Sequence, residues 1–284
     1  MILMACVDGR NGMAFNCRRQ SRDRAVRADL LAEAGEDRLW VSETTARQFA
    51  PEEQNRLRVD ESFLEKAGPG EPCFVEDRSV APCAGRVERV VLYRWDRAYP
   101  ADLTQEAQVE ALFGAVERDL GFVEGLVNSA GVAWKGLFTD MTLADWRWVV
   151  DGDLTSVFLC CRRALPAMIR EKRGSIVNVS SMWGEVGASC EAAYSAAKAG
   201  VIGLTKALAK EEGPSGIRVN CLSPGVIDTP MNGDLTEADL AALREETPLG
   251  RTGTPEETAQ AAAFLLEQEF ITGQVLGVSG GMVV

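Results

Sequence analysis

The chain from residue 101 onward alternates amphipathic helices with short apolar strands. Its first predicted helix has Thr104 as the N-terminal cap, and the apolar residues on one face of this helix are Val109, Leu112, Phe113, Val116 and Leu120. The apolar run 123–128 follows and predicts a buried strand. Thr142 with Asp145 and Thr254 with Glu257 have the spacing of capping boxes, so both pairs predict helix starts.

The remaining pattern predicts further helices over 143–150, 154–170, 192–212 and 255–266. Strands are predicted between them at 175–179, 217–222 and 274–278. Strands separated by helices of this length form a parallel sheet that helices cover on both faces. The pattern therefore predicts an α/β fold with a doubly wound, Rossmann-like sheet.

The first hundred residues have a different character. The pattern predicts strands at 1–7, 38–42, 73–76 and 87–95, with a helix at 24–34 and a turn after the first strand. Arginine supplies 15 of the 16 basic side chains there, whereas the later part is rich in alanine, glycine and valine. We place a boundary near Ala101, which gives a small α/β segment over 1–100 and a larger domain over 101–284.

Composition indicates a soluble globular protein. The chain has 284 residues, of which 46% are hydrophobic and 25% are charged. No apolar run approaches the roughly 20 residues of a membrane helix, and the first residues lack the features of a signal peptide. Eight cysteines without a CxxC pair indicate reduced thiols, so we expect a cytoplasmic protein without a membrane partner.

Two further counts narrow the candidate chemistry. The chain contains no histidine, which excludes histidine-dependent triads and histidine-ligated zinc, and no metal site is predicted. The net charge is −12, and residues 101–284 hold 14 basic and 25 acidic side chains. This charge disfavours a nucleic-acid partner.

Tyr194 and Lys198 are the first candidates for catalysis. Four residues separate them, so they lie on one face of the helix predicted over 192–212. A cation close to a phenol favours the phenolate and lowers the pKa of the phenol. The tyrosine can then exchange a proton with a carbonyl or alcohol oxygen. Taken alone, this spacing also fits a chance helical pair.

Three other motifs follow predicted strands at the same edge of the sheet. They are the run Asn128-Ser-Ala-Gly131, Ser181 at 13 residues before Tyr194, and the run Ser223-Pro-Gly225 leading to Thr229. Ligands of doubly wound sheets bind outside the carboxyl ends of the strands. Together with Tyr194 and Lys198, these motifs resemble the short-chain dehydrogenase/reductase family, in particular its members similar to 3-oxoacyl-carrier-protein reductase. The resemblance covers residues 101–284.

The resemblance implies roles for individual residues. Tyr194 would be the general acid and base, Lys198 would lower its pKa and hold the nicotinamide ribose, and Ser181 would bind the substrate oxygen. Residues expected to bind the cofactor, besides Tyr194 and Lys198, are Asp102 near the adenine ring, Asn128, Ala130 and Gly131 on the adenosine side, and Pro224, Gly225, Val226 and Thr229 at the nicotinamide end. For Asn128 and Gly225, a strand-end turn is the structural alternative.

The sequence departs from the family pattern at two places. In the stretch Asp151–Phe158, Asp153 occupies the position where family members have an asparagine that completes a catalytic tetrad. A carboxylate there could bind a relay water, but its charge would oppose formation of the tyrosinate, so we expect slower catalysis. The TGxxxGxG turn of the family is also missing. We therefore expect an N-terminally truncated domain without the first βαβαβ portion.

Residues 1–100 resemble short clostridial proteins that are sometimes named ribonuclease Z, and their first residues faintly resemble the start of dihydrofolate reductase. A histidine-rich zinc hydrolase is excluded because the chain has no histidine. A cluster of arginines could bind phosphate or could form a solvated surface, which we favour. Its members are Arg10, Arg18, Arg19, Arg22, Arg24 and Arg27.

The leading hypothesis is an oxidoreductase that transfers hydride between NADP(H) or NAD(H) and a small ketone or secondary alcohol. NADP(H) is slightly preferred by family analogy, and nucleotide binding depends on the missing phosphate turn. The alternatives are a non-enzymatic fusion, in which the fold serves binding or oligomerisation, and a deletion product without function.

The stretch 231–249 resembles a mobile substrate lid, whose acidic residues Asp234, Glu237 and Asp239 disfavour an acidic carrier protein. The helices 154–170 and 192–212 predict a homo-oligomer, because they correspond to the family's dimer-forming pair.

Overall fold

The structure is a computed structural model, and the residues that it describes are 2–6, 11–21, 39–41, 57–59, 72–76, 89–232 and 235–283. Backbone contacts divide the chain into two compact units. The smaller unit comprises Met1–Ile2 and Met13–Tyr99, and the larger comprises Leu3–Gly12 and Pro100–Val284. The domain boundary near Ala101 stays a prediction.

The smaller unit contains a five-stranded sheet in the order β2-β6-β5-β3-β4. These strands are β2 (Asn11–Ser21), β3 (Leu39–Val41), β4 (Leu57–Val59), β5 (Pro72–Glu76) and β6 (Arg89–Pro100). β3 runs parallel to β4 and β5, whereas β5 and β6 are antiparallel. The strand β2 occupies a stretch where the pattern predicts a turn, and the helix predicted at 24–34 lies outside the described residues.

The larger unit alternates helices and strands. Its strands are β1 (Ile2–Cys6), β7 (Gly125–Asn128), β8 (Gly174–Val179), β9 (Ile217–Pro224) and β10 (Val275–Val278). Its helices are α1 (Glu106–Leu120), α2 (Leu143–Val150), α3 (Ser156–Glu171), α4 (Met182–Val186), α5 (Ala192–Glu212), α6 (Glu237–Glu246) and α7 (Pro255–Glu267). The predicted helices and strands of this part all occur, with bounds that differ by three residues or fewer.

These strands form a sheet in the order β10-β9-β8-β7-β1. The pairs β7–β8, β8–β9 and β9–β10 are all parallel, and Val177 of β8 lies between Val127 and Asn220 in the register. Strands β7 and β8 are almost wholly buried, because helices cover them. The predicted Rossmann-like α/β fold is confirmed. β1 provides a strand next to β7.

The helix starts confirm two of the three predicted caps. Thr142 and Thr254 each form a complete capping box, with Asp145 and Glu257 as their partners. The prediction for Thr104 is wrong: α1 begins at Glu106 without a side-chain cap. The Thr104 hydroxyl instead donates to Asp102 Oδ1 at 2.7 Å, so it is turned away from the helix.

A single π-helical turn, Asp151–Thr155, joins α2 to α3. The pattern predicts two separate helices here, 143–150 and 154–170. A π turn adds one residue to the hydrogen-bonded ring, so the helix continues while its buried face shifts. This turn carries Asp153 into the protein interior, where its side chain is fully buried.

Buried amides tie the sheet to α5. The Asn128 side chain of β7 donates to Asn178 Oδ1 of β8 at 2.8 Å, and the Asn178 amide donates to the Thr205 hydroxyl of α5 at 3.0 Å. All three residues are buried. Because an unpaired buried amide costs stability, these bonds fix the spacing between the strands and the helix.

The cysteines with described side chains are free thiols. Cys160, Cys161 and Cys221 are buried, and Cys190 is exposed. Burial raises the pKa of Cys160 to about 12 and that of Cys221 to about 11, so these thiols are poor nucleophiles. Across the described helices, no segment has the length and apolar character needed to cross a membrane.

Two phenylalanines test which face of the fold forms the core. Phe113 of α1 is fully buried, and the Arg163 guanidinium lies 5.3 Å from its ring centroid. Phe270 is fully exposed. Phe113→Ala should lower the free energy of unfolding by about 3–5 kcal/mol because it leaves a cavity. Phe270→Ala, the matched control, should change it by less than about 0.5 kcal/mol. Urea unfolding followed by circular dichroism measures both, and equal effects would contradict this core assignment.

Candidate active site

The candidate site lies at the carboxyl ends of β7, β8 and β9. The run 128–131 ends β7, Ser181 comes two residues after β8, and Pro224 ends β9. Because these strands are parallel, their carboxyl ends meet at one edge of the sheet. Helix α5 packs against this edge and brings Tyr194 and Lys198 to it.

Tyr194 and Lys198 are both buried and lie one turn apart on α5. The Lys198 ammonium nitrogen lies 5.5 Å from the centroid of the Tyr194 ring. A cation at this distance interacts favourably with an aromatic ring. The helical spacing that the sequence predicts therefore does bring the two groups together.

Ser181 joins this pair from the start of α4. Its hydroxyl oxygen accepts a hydrogen bond from the Trp183 N–H at 3.2 Å and caps the short helix. The Ser181 hydroxyl also acts on Tyr194, whose pKa it lowers. The capping bond restrains the Ser181 side chain at the start of α4.

Lys198 has two further partners besides the Tyr194 ring. Its ammonium nitrogen lies 3.2 Å from Asp153 Oδ1 in an ion pair, and it donates to the carbonyl of Val179 at 3.1 Å. The side chain of Lys198 is 4% exposed and that of Asp153 is 0% exposed. The pair is therefore shielded from water, and its electrostatic effect on neighbouring groups is strong.

Asp153 has one further contact. Its Oδ1 atom accepts the Val132 N–H at 3.1 Å. The second oxygen, Oδ2, is buried and has no hydrogen-bond partner among the described residues. An acceptor with a free lone pair at this place fits the relay water that the sequence predicts for Asp153, which stays a prediction.

Burial and neighbouring charges shift the pKa values of all three titratable groups. Burial raises the pKa of Tyr194, and the Asp153 carboxylate raises it further, whereas Lys198 lowers it. Burial also raises the pKa of Asp153 above its ordinary value, against the effect of Lys198. Burial disfavours the charge of Lys198, but the Asp153 carboxylate and Tyr194 outweigh this, and the pKa of Lys198 is raised.

Two contacts of this site have no signal in the sequence pattern. The Val132 N–H and the Val179 carbonyl are backbone groups, which any residue type could provide. Two small residues, Ser180 and Gly184, can be recognised in the sequence because they follow the strand closely. The Ser180 hydroxyl donates to the Lys198 carbonyl at 2.8 Å, and a Cβ atom on Gly184 would lie 2.8 Å from the Lys198 carbonyl carbon. Small residues directly after β8 thus let α4 pack closely on α5.

The residues predicted to bind the cofactor occupy several places. Asp102 accepts hydrogen bonds from the Thr104 N–H and hydroxyl, in a turn before α1. Asn128 belongs to the buried amide chain rather than to a strand-end turn alone, and Ala130 is buried. Gly131 touches the ion pair: a Cβ atom there would lie 3.1 Å from the Lys198 ammonium nitrogen.

The predicted nicotinamide end follows β9. The Gly225 N–H donates to the Val278 carbonyl at 3.0 Å, and a Cβ atom on Gly225 would lie 2.7 Å from Ser279 Cα. The Val226 carbonyl accepts the Gly253 N–H at 2.9 Å. Pro224 and Thr229 flank these two residues and are half-buried. The stretch is thus tied to β10 by its backbone and needs glycine at position 225.

Three tryptophans surround Tyr194. Trp134, Trp146 and Trp183 are partly buried and pack against a buried cluster that includes Tyr194 and Val149. No sequence motif singles out these tryptophans. Their indoles form an apolar wall, which excludes water and strengthens the polar interactions of the hydroxyl and ammonium groups.

Taken together, the geometry provides a proton donor, a second hydroxyl and a cation at one edge of a parallel sheet. The two hydroxyl groups can hydrogen-bond a carbonyl oxygen, and the phenol can deliver a proton to it. The described residues contain no group of three acidic or cysteine side chains arranged to hold a metal ion.

Comparisons with known proteins bear on this geometry. The family model described as enoyl-(acyl carrier protein) reductase matches residues 73–283. The chain is 41% identical over 188 residues to the 3-oxoacyl-[acyl-carrier-protein] reductase of Thermotoga maritima, which is 66% of this chain and 76% of that protein.

Two other relatives have similar identity. The 3-oxoacyl-[acyl-carrier-protein] reductase of Bos taurus is 43% identical over 185 residues, 65% of this chain and 77% of that protein. An uncharacterized oxidoreductase of Bacillus subtilis is 42% identical over 183 residues, 64% of this chain and 74% of that protein. The chain thus spans about three quarters of each of these relatives.

These matches confirm the resemblance that the motifs predict. The protein is an oxidoreductase, and its relatives depend on a nicotinamide dinucleotide. The matched residues 73–283 include every residue of the candidate site. The chain therefore belongs to the short-chain dehydrogenase/reductase family.

Proposed function

We propose that the protein reduces a small ketone to a secondary alcohol with NADPH or NADH, and that Tyr194 donates the proton. The observation that supports this best is the contact of Tyr194 with both Ser181 and Lys198 at the carboxyl edge of the sheet. Ser181 and Tyr194 hold the carbonyl oxygen by two hydrogen bonds. These bonds strengthen as negative charge develops on that oxygen, so they stabilise the transition state.

Lys198 fits the ribose of a bound nicotinamide nucleotide. An ammonium group has three N–H donors, and Asp153 and the Val179 carbonyl take two of them. The third remains for a ribose hydroxyl. When it is bound, the reduced nicotinamide supplies the hydride that the carbonyl carbon accepts. NADPH is preferred over NADH by family analogy alone.

Gly131 keeps the entrance to this pair open. A Cβ atom at position 131 would clash with Asp153 Oδ1 and would lie 3.1 Å from the Lys198 nitrogen. Atoms cannot approach so closely, so any larger residue would displace the ion pair. We infer that position 131, three residues after β7, must be glycine for Lys198 to reach its working position.

The substrate we propose is a small 3-oxoacyl thioester. This choice rests on the relatives from Thermotoga maritima and Bos taurus, whose names specify 3-oxoacyl-[acyl-carrier-protein] reduction. The predicted lid contains α6, whose Glu237 and Asp239 are exposed, while Asp234 lies outside the described residues. Exposed carboxylates repel an acidic carrier protein, so a low-molecular-weight thioester is the better partner.

The phosphate end of the nucleotide site stays a prediction. The arginine cluster of residues 10–27 lies outside the described side chains, and the sequence contains no glycine turn of the family type. A cytoplasmic location and a homo-oligomer formed through α3 and α5 also belong to this proposal.

The first test is turnover in the absence of the phenol. Nucleotide fluorescence should report saturable binding of NADPH or NADH, and a 3-oxoacyl thioester should be reduced. Tyr194→Phe should keep nucleotide binding and lose turnover by about 10²–10⁴-fold, because only the proton donor is removed. Ser181→Ala should also slow turnover, whereas Ser189→Ala, an exposed neighbour, should not. Absence of nucleotide binding at millimolar concentrations would favour the non-enzymatic alternative.

A second test uses the glycine beside the ion pair. Gly131→Ala should reduce turnover at least about tenfold and lower the free energy of unfolding by about 1–3 kcal/mol, because the added methyl group overpacks the site. Gly203→Ala on α5 is the matched control, because a Cβ atom there has no neighbour within 4 Å. It should leave turnover unchanged and raise stability by up to about 1 kcal/mol. Unchanged turnover in Gly131→Ala would contradict the role of this glycine.

A further inference from the structure

We propose that Asp153 is a positioning residue that cancels the charge of Lys198 and thereby keeps Tyr194 a neutral phenol, so the phenolate that alcohol oxidation requires forms only in alkaline solution. This inference rests on the proposed function, since it assigns Tyr194 the same proton. It goes beyond a merely slower reaction, because it predicts a shift in the pH dependence of both directions of catalysis.

The geometry confines the carboxylate next to the ammonium group. Asp153 Oδ1 lies 3.2 Å from the Lys198 nitrogen and 3.1 Å from the Val132 nitrogen, and its side chain is fully buried. The backbone of Gly131 lies directly against the same oxygen. The carboxylate has no path to solvent, so it cannot leave the pair as a surface aspartate would.

The pair is net neutral as seen from Tyr194. The groups that face the phenol are Lys198, Asp153, the Ser181 hydroxyl and the partly buried Glu191. Lys198 and Ser181 favour the phenolate, whereas Asp153 and Glu191 oppose it. One buried carboxylate balances the cation, and a second acid opposes it. Burial is then the largest influence on the phenol, and it raises the pKa of Tyr194 above its ordinary value.

The two directions of the reaction need different forms of Tyr194. In reduction, the carbonyl carbon gains a hydride from the reduced nicotinamide, and the phenol proton moves to the carbonyl oxygen. The resulting phenolate then takes a proton from water. In oxidation, the phenolate must remove the proton of the alcohol as hydride leaves for the oxidised nicotinamide. A site that holds the phenol therefore reduces over a wide pH range and oxidises only in alkaline solution.

An asparagine, the residue of the family pattern at this position, would leave Lys198 as an uncompensated cation. That cation favours the phenolate, so the ionisation midpoint of Tyr194 would lie at lower pH than it does with Asp153. The substitution Asp153→Asn preserves size and the acceptor for the Val132 N–H, and it removes only the charge. It therefore isolates the electrostatic effect from the structural one.

The direct test is ultraviolet titration of the nucleotide-free protein. The chain has three tyrosines, so the absorbance change on ionisation, corrected by the Tyr194→Phe variant, reports Tyr194 alone. Asp153→Asn should move this midpoint to lower pH. Asp151→Asn removes the same charge from an exposed position on the same π turn, and it should leave the midpoint unchanged.

Rate measurements extend the test to catalysis. In Asp153→Asn, the rise of the alcohol oxidation rate with pH should move to lower pH by the interval by which the midpoint falls. The decline of the reduction rate at high pH should move to lower pH by the same interval. A residue with only a structural role would lower both rates together and leave both pH profiles in place.

A second variant protects the test against poor folding of the first. Lys198→Gln leaves the Asp153 charge unbalanced and should move the Tyr194 midpoint to higher pH, and adding Asp153→Asn should reverse that move. An unchanged midpoint in folded Asp153→Asn protein overturns the inference. If the shifts occur but no thioester is reduced, the proposed function fails while the charge relation between Asp153 and Tyr194 stands.

Discussion

The candidate site depends on the burial of two opposite charges. Removing a carboxylate or an ammonium group from water costs several kcal/mol, and their attraction offsets this cost only when both groups are also hydrogen-bonded. Asp153 and Lys198 meet this condition through the Val132 N–H and the Val179 carbonyl. The loop after β7, the end of β8, the π turn and α5 must therefore stay in register with one another. Loss of either charged partner alone would cost about 3–5 kcal/mol in such a setting.

The same requirement links packing to proton chemistry. The amide chain from Asn128 to Thr205 holds the strands and α5 at a fixed spacing, and the tryptophan wall keeps water away from the Tyr194 ring. In a setting of low polarity, a single charge at 3–6 Å decides whether a phenol is ionised. The choice of aspartate or asparagine at position 153 is therefore a choice about proton transfer, although neither residue needs to touch the substrate.

Local signals explain how much of this arrangement the sequence predicts. The bounds of α2 and α5 are predicted to the residue, because apolar spacing acts within one or two turns and a capping box also marks the start of α2. The approach of Ser181, Tyr194 and Lys198 is predictable from their strand-end and helical positions. The π turn and the two backbone partners of the ion pair are not, because they arise from packing between distant segments. The prediction for Thr104 failed for a similar reason. Its hydroxyl donates to Asp102 instead of capping α1.

The π turn has a consequence for the natural variation of this region. A π turn is equivalent to an α-helix with one inserted residue, so a deletion of one residue between Val150 and Ser156 would restore a regular α-helix. The helix would survive such a change, but each residue after the deletion would rotate by about 100° relative to α2. Either α3 would lose its packing on β7 and β8 or the buried aspartate would face elsewhere. A change of length at this turn can therefore abolish the reaction while the domain still folds. Homologues that differ here by one residue should include members that keep the fold but have lost the activity.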